Sequence, residues 1–144
     1  MSYAIKQLSV FLENKPGELG FLTKTLSQGG VSIKSILLAD SSDFGLARTL
    51  VDDPEKAKAV LENHGLSVRL TDVFGVRIDD VVGSFDRVVS LLSAKEINIL
   101  YCYSFYESSS GIFIFSVPKE QFDEAVLALI AHGVEIIQAQ HFYM

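Results

Sequence analysis

The sequence predicts an α+β fold of two βαββαβ units, each an antiparallel sheet with its helices on one face. Three observations lead there. A segment recurs further along the chain, apolar spacing switches between about two and about 3.6 residues within each copy, and both copies run through the same order of elements.

The repeat is read directly. Laying "ENKPGELGFLTKTLSQGGVSI" (13–33) over "DDVVGSFDRVVSLLSAKEINI" (79–99) brings Gly17 onto Gly83, Leu22 onto Val88, Leu26 onto Leu92 and Ile33 onto Ile99, all at an offset of 66. Later, "ENHGLSV" (62–68) falls on "IAHGVEI" (130–136) at an offset of 68, so two residues are inserted in between. The expected domains are residues 1–70 and 71–144.

In the first copy Leu8, Val10 and Leu12 alternate with Gln7 and Ser9, the period of a strand. Leu19, Leu22 and Leu26 share one helix face, and Gly29-Gly30 can end that helix in a left-handed conformation. "VSIKSILLAD" (31–40) and "FGLARTLV" (44–51) read as a hairpin turning at "SSD". Asp52 or Asp53 caps a second helix with Pro54 at its start, where a missing N–H costs nothing. That helix ends at His64-Gly65. The extended run "LSVRLTDVFGVRI" then closes one copy and opens the next.

The second copy repeats the order. A helix carries Phe85, Val88, Val89 and Leu92 on one side; strands at 97–106 and 112–117, a helix at 119–132 and a strand at 134–139 follow. Each copy is thus ferredoxin-like. In "INILYCYSFY" (97–106), Ile97, Ile99, Tyr101, Tyr103 and Phe105 fall on one face, with Leu100, Cys102 and Tyr106 on the other. "IFIFSV" (112–117) is apolar on both faces. Helices cover one face only, so the sister copy or another chain is expected on the second, and the protein is expected to associate.

Charge narrows the partners. Twelve basic and 18 acidic residues give a net charge of -6, split as about -1 over residues 1–72 and -5 over 73–144. A phosphate backbone selects clustered Lys and Arg, so nucleic acid is not an expected partner, nor is a membrane surface. "MSYAIKQLSVFLEN" does not read as a secretory signal: it has polar interruptions and no small-residue cleavage site. No apolar run approaches the ~18 residues of a membrane span. Cys102 is the single cysteine, which excludes a disulfide framework and a thiolate metal cluster. A soluble, cytoplasmic setting is the expectation.

The turn "ENKPGEL" (13–19) carries the functional reading. Gly17 stands where a strand hands over to a helix, whose first N–H groups have no intrahelical partner and whose dipole makes that end mildly positive. A carboxylate docks at such an end if no side chain shields the backbone; Gly gives access and Pro16 fixes the approach. Asn14 offers both a donor and an acceptor. The turn is a holder and needs no catalysis.

"ENKPGEL", then a helix, Gly-Gly and "VSI", resembles the opening of an ACT domain, the small amino-acid-binding regulatory module of metabolic enzymes. The first copy carries the family's pattern in Asn14, Pro16, Gly17 and Leu19; the second keeps Gly83 but has Val82 for Pro and Asp80 for Asn. The resemblance covers nearly the whole chain as two tandem domains, like free-standing ACT proteins and the regulatory subunit of acetolactate synthase. It implies a non-catalytic protein binding a small amino acid at a domain interface. The strand–helix turn of one domain would meet the start of its neighbour's second strand, and the protein would signal to an enzyme of amino-acid metabolism. Crosswise pairing puts Asn14 with Asn98, an amide-lined site, and Asp80 with Ser32, a poorer one. One good site is expected around Asn14, Gly17 and Asn98, with Leu12, Pro16, Leu19 and Ile99 beside it and Asp80, Gly83 and Ser32 forming the weaker site. The apolar surroundings favour a branched-chain or aromatic ligand. A homodimer and no cofactor are expected.

Plainer readings stand beside these. Pro-Gly before a helix is a sound structural turn, and ACT-like domains also serve as assembly modules. His64 and His132 precede a Gly near helix C-termini, where an imidazole interacts well with the dipole. The stripe Tyr101, Tyr103, Phe105 and Phe113 lacks the basic residues of an RNA-binding sheet. Phosphate-binding glycine loops, a nucleophile with its base and ligand-like His/Cys/Asp spacing are missing, and adjacent Asp79 and Asp80 point apart, so catalysis is not expected.

Overall fold

The computed structural model describes residues 2–40 and 44–143. Its elements are β1 (Ile5–Glu13), α1 (Glu18–Gln28), β2 (Ile33–Asp40), β3 (Phe44–Val51), α2 (Pro54–Asn63), β4 (Ser67–Ile78), α3 (Ser84–Ala94), β5 (Tyr101–Glu107), β6 (Ser110–Ser116), α4 (Phe122–Ala131) and β7 (Ile136–Ile137). This is βαββαβ twice, with β4 closing the first set and opening the second. The hairpin turn expected at 41–43 lies outside the described residues.

The chain divides into two compact units. One comprises Lys6–Thr71 and the residues from Gln140 on, with strand order β2-β3-β1-β4. Antiparallel pairing sets Leu8 opposite Thr49 and Leu12 opposite Gly45. Leu8, Val10 and Leu12 bury themselves against Leu22 and Leu26 of α1 and Ala57 and Leu61 of α2. Each fully buried leucine of this kind contributes about 1.5–3 kcal/mol. The far side of β1 is covered too: Gln7 is 0% and Ser9 8% exposed, so the alternation in sequence does not mark a solvent face. Tyr143 supplies this unit with a hydroxyl that accepts from the Lys6 N–H at 2.9 Å.

The other unit comprises the residues up to Ile5 and Asp72–Ala139, with order β7-β4-β6-β5. Its core joins Phe74, Val76 and Ile78 of β4, Phe115 of β6, Val88 and Leu92 of α3, and Ala125, Val126 and Leu129 of α4. Ile112 and Ile114 on the opposite face of β6 are also fully buried, as an apolar run on both faces requires. Tyr3 packs against this core, and the Ser2 carbonyl accepts from the Ala139 N–H at 3.0 Å.

The repeat is visible bond by bond. At the end of α1 the Val31 N–H donates to the Leu26 carbonyl, and at the end of α3 Ile97 donates to Leu92. At the ends of α2 and α4 the pairs are Leu66 to Leu61 and Val134 to Leu129. The change of offset from 66 to 68 falls after β6, where the second unit places a 3-10 turn, Lys119–Gln121, before α4. The first unit has only Asp53 there, whose side chain accepts from the Lys56 N–H at 3.2 Å. Asp52 caps nothing; its Oδ1 accepts from the Ser32 N–H at 2.9 Å.

Three expectations shift. The strand expected at 97–106 begins only at Tyr101; just ahead of it the Leu100 N–H donates to the Ser116 carbonyl at 2.8 Å and the Asn98 N–H to Gln121 Oε1 at 3.0 Å. The face shared from Ile97 to Phe105 therefore breaks: Ile97, Ile99 and Cys102 all pack on the helix-side core. The strand expected at 134–139 is reduced to Ile136–Ile137, with a 3-10 turn at Ala139–Phe142.

Candidate functional site

Both strand–helix turns are built to one plan. In the first, the Lys15 N–H donates to the Glu13 carbonyl at 3.0 Å and the Phe21 N–H to the Gly17 carbonyl at 2.9 Å. In the second, Val81 donates to Asp79 and Arg87 to Gly83, both at 2.9 Å. The left-handed residue is Gly17 at φ 91° in one and Gly83 at φ 90° in the other. Neither helix start has a side-chain cap. An added Cβ would meet nothing within 4 Å at either glycine, so both backbones are open to approach.

The turns differ in charge. In the first, Lys15 Nζ lies 2.9 Å from Glu13 Oε2. The Glu13 hydrogen bond, then the charges of Glu13 and Glu18, raise the Lys15 ammonium above its ordinary value. Asn14 and Pro16 beside it are exposed, Leu19 is partly so, and Leu12 is buried in the core. In the second, Asp79 and Asp80 occupy the places of Glu13 and Asn14, and Val81 and Val82 those of Lys15 and Pro16. Val82 is fully exposed.

Leu12, Asn14, Pro16, Gly17 and Leu19 thus lie together at the end of β1 and the start of α1, with Ser32 ahead of β2 in the same unit. Asn98 and Ile99, just ahead of β5, and Asp80 and Gly83 belong to the other unit. Neither unit alone contains Asn14 with Asn98, or Asp80 with Ser32. Ser32 and Asn98 are matched in one respect: each gives its backbone N–H to a side chain leading the following helix, Asp52 or Gln121.

Two hollows flank the second turn. One, of about 110 Å³, is lined by Ile78, Asp79, Asp80, Val81, Phe85, Tyr106, Gly111 and Phe113. The Phe85 and Phe113 rings stand 4.8 Å apart between centroids. Tyr106, Gly111 and Phe113 were not singled out as a site in the sequence. Their signal is positional: Gly111 pairs with both Ile78 and Tyr106, which gathers all three at the turn. The other hollow, about 270 Å³, is polar and lies between the end of β4 and the α4–β7 turn. There Arg77 Nε donates to Glu135 Oε2 at 2.9 Å and its Nη2 lies 3.6 Å from Glu107. The Glu135 hydrogen bond is the main reason the guanidinium is held above its ordinary value.

The histidines hold backbone. His64 Nδ1 lies 2.9 Å from the Val60 carbonyl and His132 Nδ1 2.8 Å from the Ala128 carbonyl. A carbonyl only accepts, so each Nδ1 bears the proton. Among the described residues no group of three or more His, Cys, Asp or Glu is placed to hold a metal ion, and no helix is long and apolar enough to cross a membrane.

A family model described as an ACT domain pair matches residues 3–142. A protein from Bacteroides thetaiotaomicron is 32% identical, with a TM-score of 0.92 over 99% of this chain and 97% of that one. The ligand-free regulatory subunit of aspartate kinase from Thermus thermophilus shares the fold at 18% identity and a TM-score of 0.65, over 89% of this chain and 93% of its own. The same subunit from Thermus flavus aligns at 20% identity and a TM-score of 0.60, over 88% and 92%. No match was found among the curated proteins.

Proposed function

The chain belongs to the ACT-domain-pair family, and from that premise we propose that it is a non-catalytic cytoplasmic regulator. It binds a small amino acid and passes that signal to an enzyme of amino-acid metabolism. The observation that carries the reading is the first turn. Gly17, left-handed and open above its backbone, leads an uncapped helix beside Asn14 and Pro16. A carboxylate there meets unshielded N–H groups and the positive end of the dipole. Asn14 and Gly17 hold the amino acid, with Asn98 and Ile99 supplied across an interface with a second copy of the chain. Pro16 and Leu19 form the apolar side, Leu12 being buried in the core, and this favours branched-chain or aromatic effectors. Binding regulates by stabilising one assembly state over another, since equal affinity for both shifts nothing.

A second reading, a ligand-free assembly module, is favoured by the edge strands. Leu38 on β2 is 49% exposed and Leu100, leading into β5, is 54% exposed. Thermal unfolding against each of the twenty amino acids separates the two. At a hundred times its dissociation constant an effector adds about 2.7 kcal/mol, a rise of roughly 9 °C for a chain of this length. A selective rise that Asn14→Ala removes supports the sensor. No rise with any amino acid at millimolar concentration leaves the assembly module.

A further inference from the structure

We infer that Gln121 is a positioning residue for Asn98: its side-chain amide braces the backbone on both sides of Ile97 and so aims the Asn98 carboxamide at the amino acid. This rests on the reading of Asn98 as an effector contact and extends it to the residue behind that contact.

The brace consists of two hydrogen bonds. Gln121 Nε2 donates to the Glu96 carbonyl at 3.2 Å, and the Asn98 N–H donates to Gln121 Oε1 at 3.0 Å. Between them Ile97 is buried and gives its N–H to the Leu92 carbonyl at 3.1 Å. Asn98 itself is exposed, so the direction of its side chain follows the backbone beneath it. All of these residues lie in one unit.

The first copy shows what is special here. Its counterpart of Glu96 is Gly30, at φ 76°, and glycine takes that conformation freely. Glu96 holds φ 57°, where a residue with a Cβ is disfavoured. Among the described residues only Ser108 is a second non-glycine at positive φ, and it lies in the two-residue turn between β5 and β6, which calls for that conformation. Glu96 closes no such hairpin. A strained residue persists where its surroundings hold it, and Gln121 supplies the hold. Asp52 takes the Ser32 N–H in the first copy, but an ionised carboxylate only accepts and has no proton for the Gly30 carbonyl. Gln121 also leaves its own helix uncapped. It stands at the N-cap of α4 without a side-chain bond to that helix, whereas the Asp53 side chain caps α2. The Gln121 amide is committed to residues 96–98 instead.

The test titrates the full chain with each of the twenty L-amino acids by calorimetry, well below its melting temperature. Hydrogen exchange of the Asn98 amide is followed in ¹⁵N-labelled protein. Gln121→Ala loses both bonds; it is expected to open the Asn98 amide to exchange and to weaken amino-acid binding at least about tenfold, equivalent to about 1.4 kcal/mol. Gln121→Glu keeps the acceptor and loses the donor, so its affinity should fall between the two. Asp53→Ala removes a helix cap in the other unit; it should lower the melting temperature and leave affinity unchanged, which separates lost aim from lost stability. Equal binding by the parent and Gln121→Ala, binding by Gln121→Glu no better than by Gln121→Ala, an Asn98 amide still protected in Gln121→Ala, or an equal loss of affinity in Asp53→Ala would each overturn the proposal and leave the sensor reading intact. A parent that binds none of the twenty overturns the sensor reading, and the role of Gln121 with it.

Discussion

Gly17→Ala and Gly20→Ala place one methyl group at two sites within a turn of each other, and their effects should have opposite signs. Neither added Cβ meets an atom within 4 Å, so packing cancels from the comparison and only backbone conformation remains. Gly17 holds φ 91°, where an L-residue is disfavoured by about 1–2 kcal/mol. Gly20 lies inside α1, where alanine is favoured over glycine by about 0.5–1 kcal/mol. With an unfolding entropy near 2.1 cal/mol/K per residue, 1 kcal/mol corresponds to about 3 °C in this chain. Gly17→Ala should therefore lower the melting temperature by roughly 3–7 °C, and Gly20→Ala should raise it by roughly 2–3 °C. Urea unfolding followed by far-UV circular dichroism gives the same ordering without heat. Gly83, at φ 90° with equal clearance, should match Gly17 within error. If Gly17→Ala proves as stable as the parent, the turn is not locked left-handed and the argument for an open helix start is wrong.

Two further outcomes follow from packing and burial. Gly29→Ala would bring its Cβ to 2.9 Å and 3.0 Å from the two Val60 methyl carbons and 3.3 Å from the Thr25 carbonyl. It should cost about 1–3 kcal/mol, most of it recovered in the Gly29→Ala/Val60→Ala double variant as read by denaturant midpoints. Burial raises the Cys102 thiol above its ordinary value of 9.0. The folded state then holds this proton more tightly than the unfolded one, so the contribution is intact below pH 9.0 and declines as pH rises through the folded value. Melting temperatures between pH 8 and 10 should fall less steeply in Cys102→Ala than in the parent.

Where the sequence spoke clearly, local chemistry decided the matter. Gly17, Gly30, Gly65, Gly83 and Gly133 all hold positive φ, and each stands where the repeat places a turn or a helix end. Pro54 and Asp53 start α2 as their types require. What was hidden depends on groups far apart in the chain. Ahead of β5, which starts late, Gln121 takes the Asn98 N–H, a bond across 23 residues that no periodicity announces. Gln7 and Ser9 mark the strand by alternation, but nothing local announces that both are buried, with Gln7 Nε2 donating to Ser9 Oγ at 3.4 Å. At the candidate site, Gly17 and Asn14 were legible because they are consecutive with the turn. Tyr106, Gly111 and Phe113 were not, because only strand register brings them to Asp79 and Phe85.

Duplication accounts for how two such different surfaces arise on one backbone. A turn's shape is set by its backbone bonds and by one glycine, and those are kept in both units. Its charge is set by side chains that point outward and contribute little to folding, so they are free to diverge. Lys15 becomes Val81, Asn14 becomes Asp80 and Pro16 becomes Val82, all exposed, at no cost to either core. The divergence is not spread evenly. The first half carries a net charge of about -1 and the second about -5, although the buried apolar positions correspond closely. The core positions therefore keep the fold in both units, while the solvent-facing turns differ in side chains: Glu13, Lys15 and Glu18 in the first, Asp79 and Asp80 without a lysine in the second. One backbone plan thus carries an ion pair, Lys15 with Glu13, at the first turn and two carboxylates followed by two exposed valines at the second.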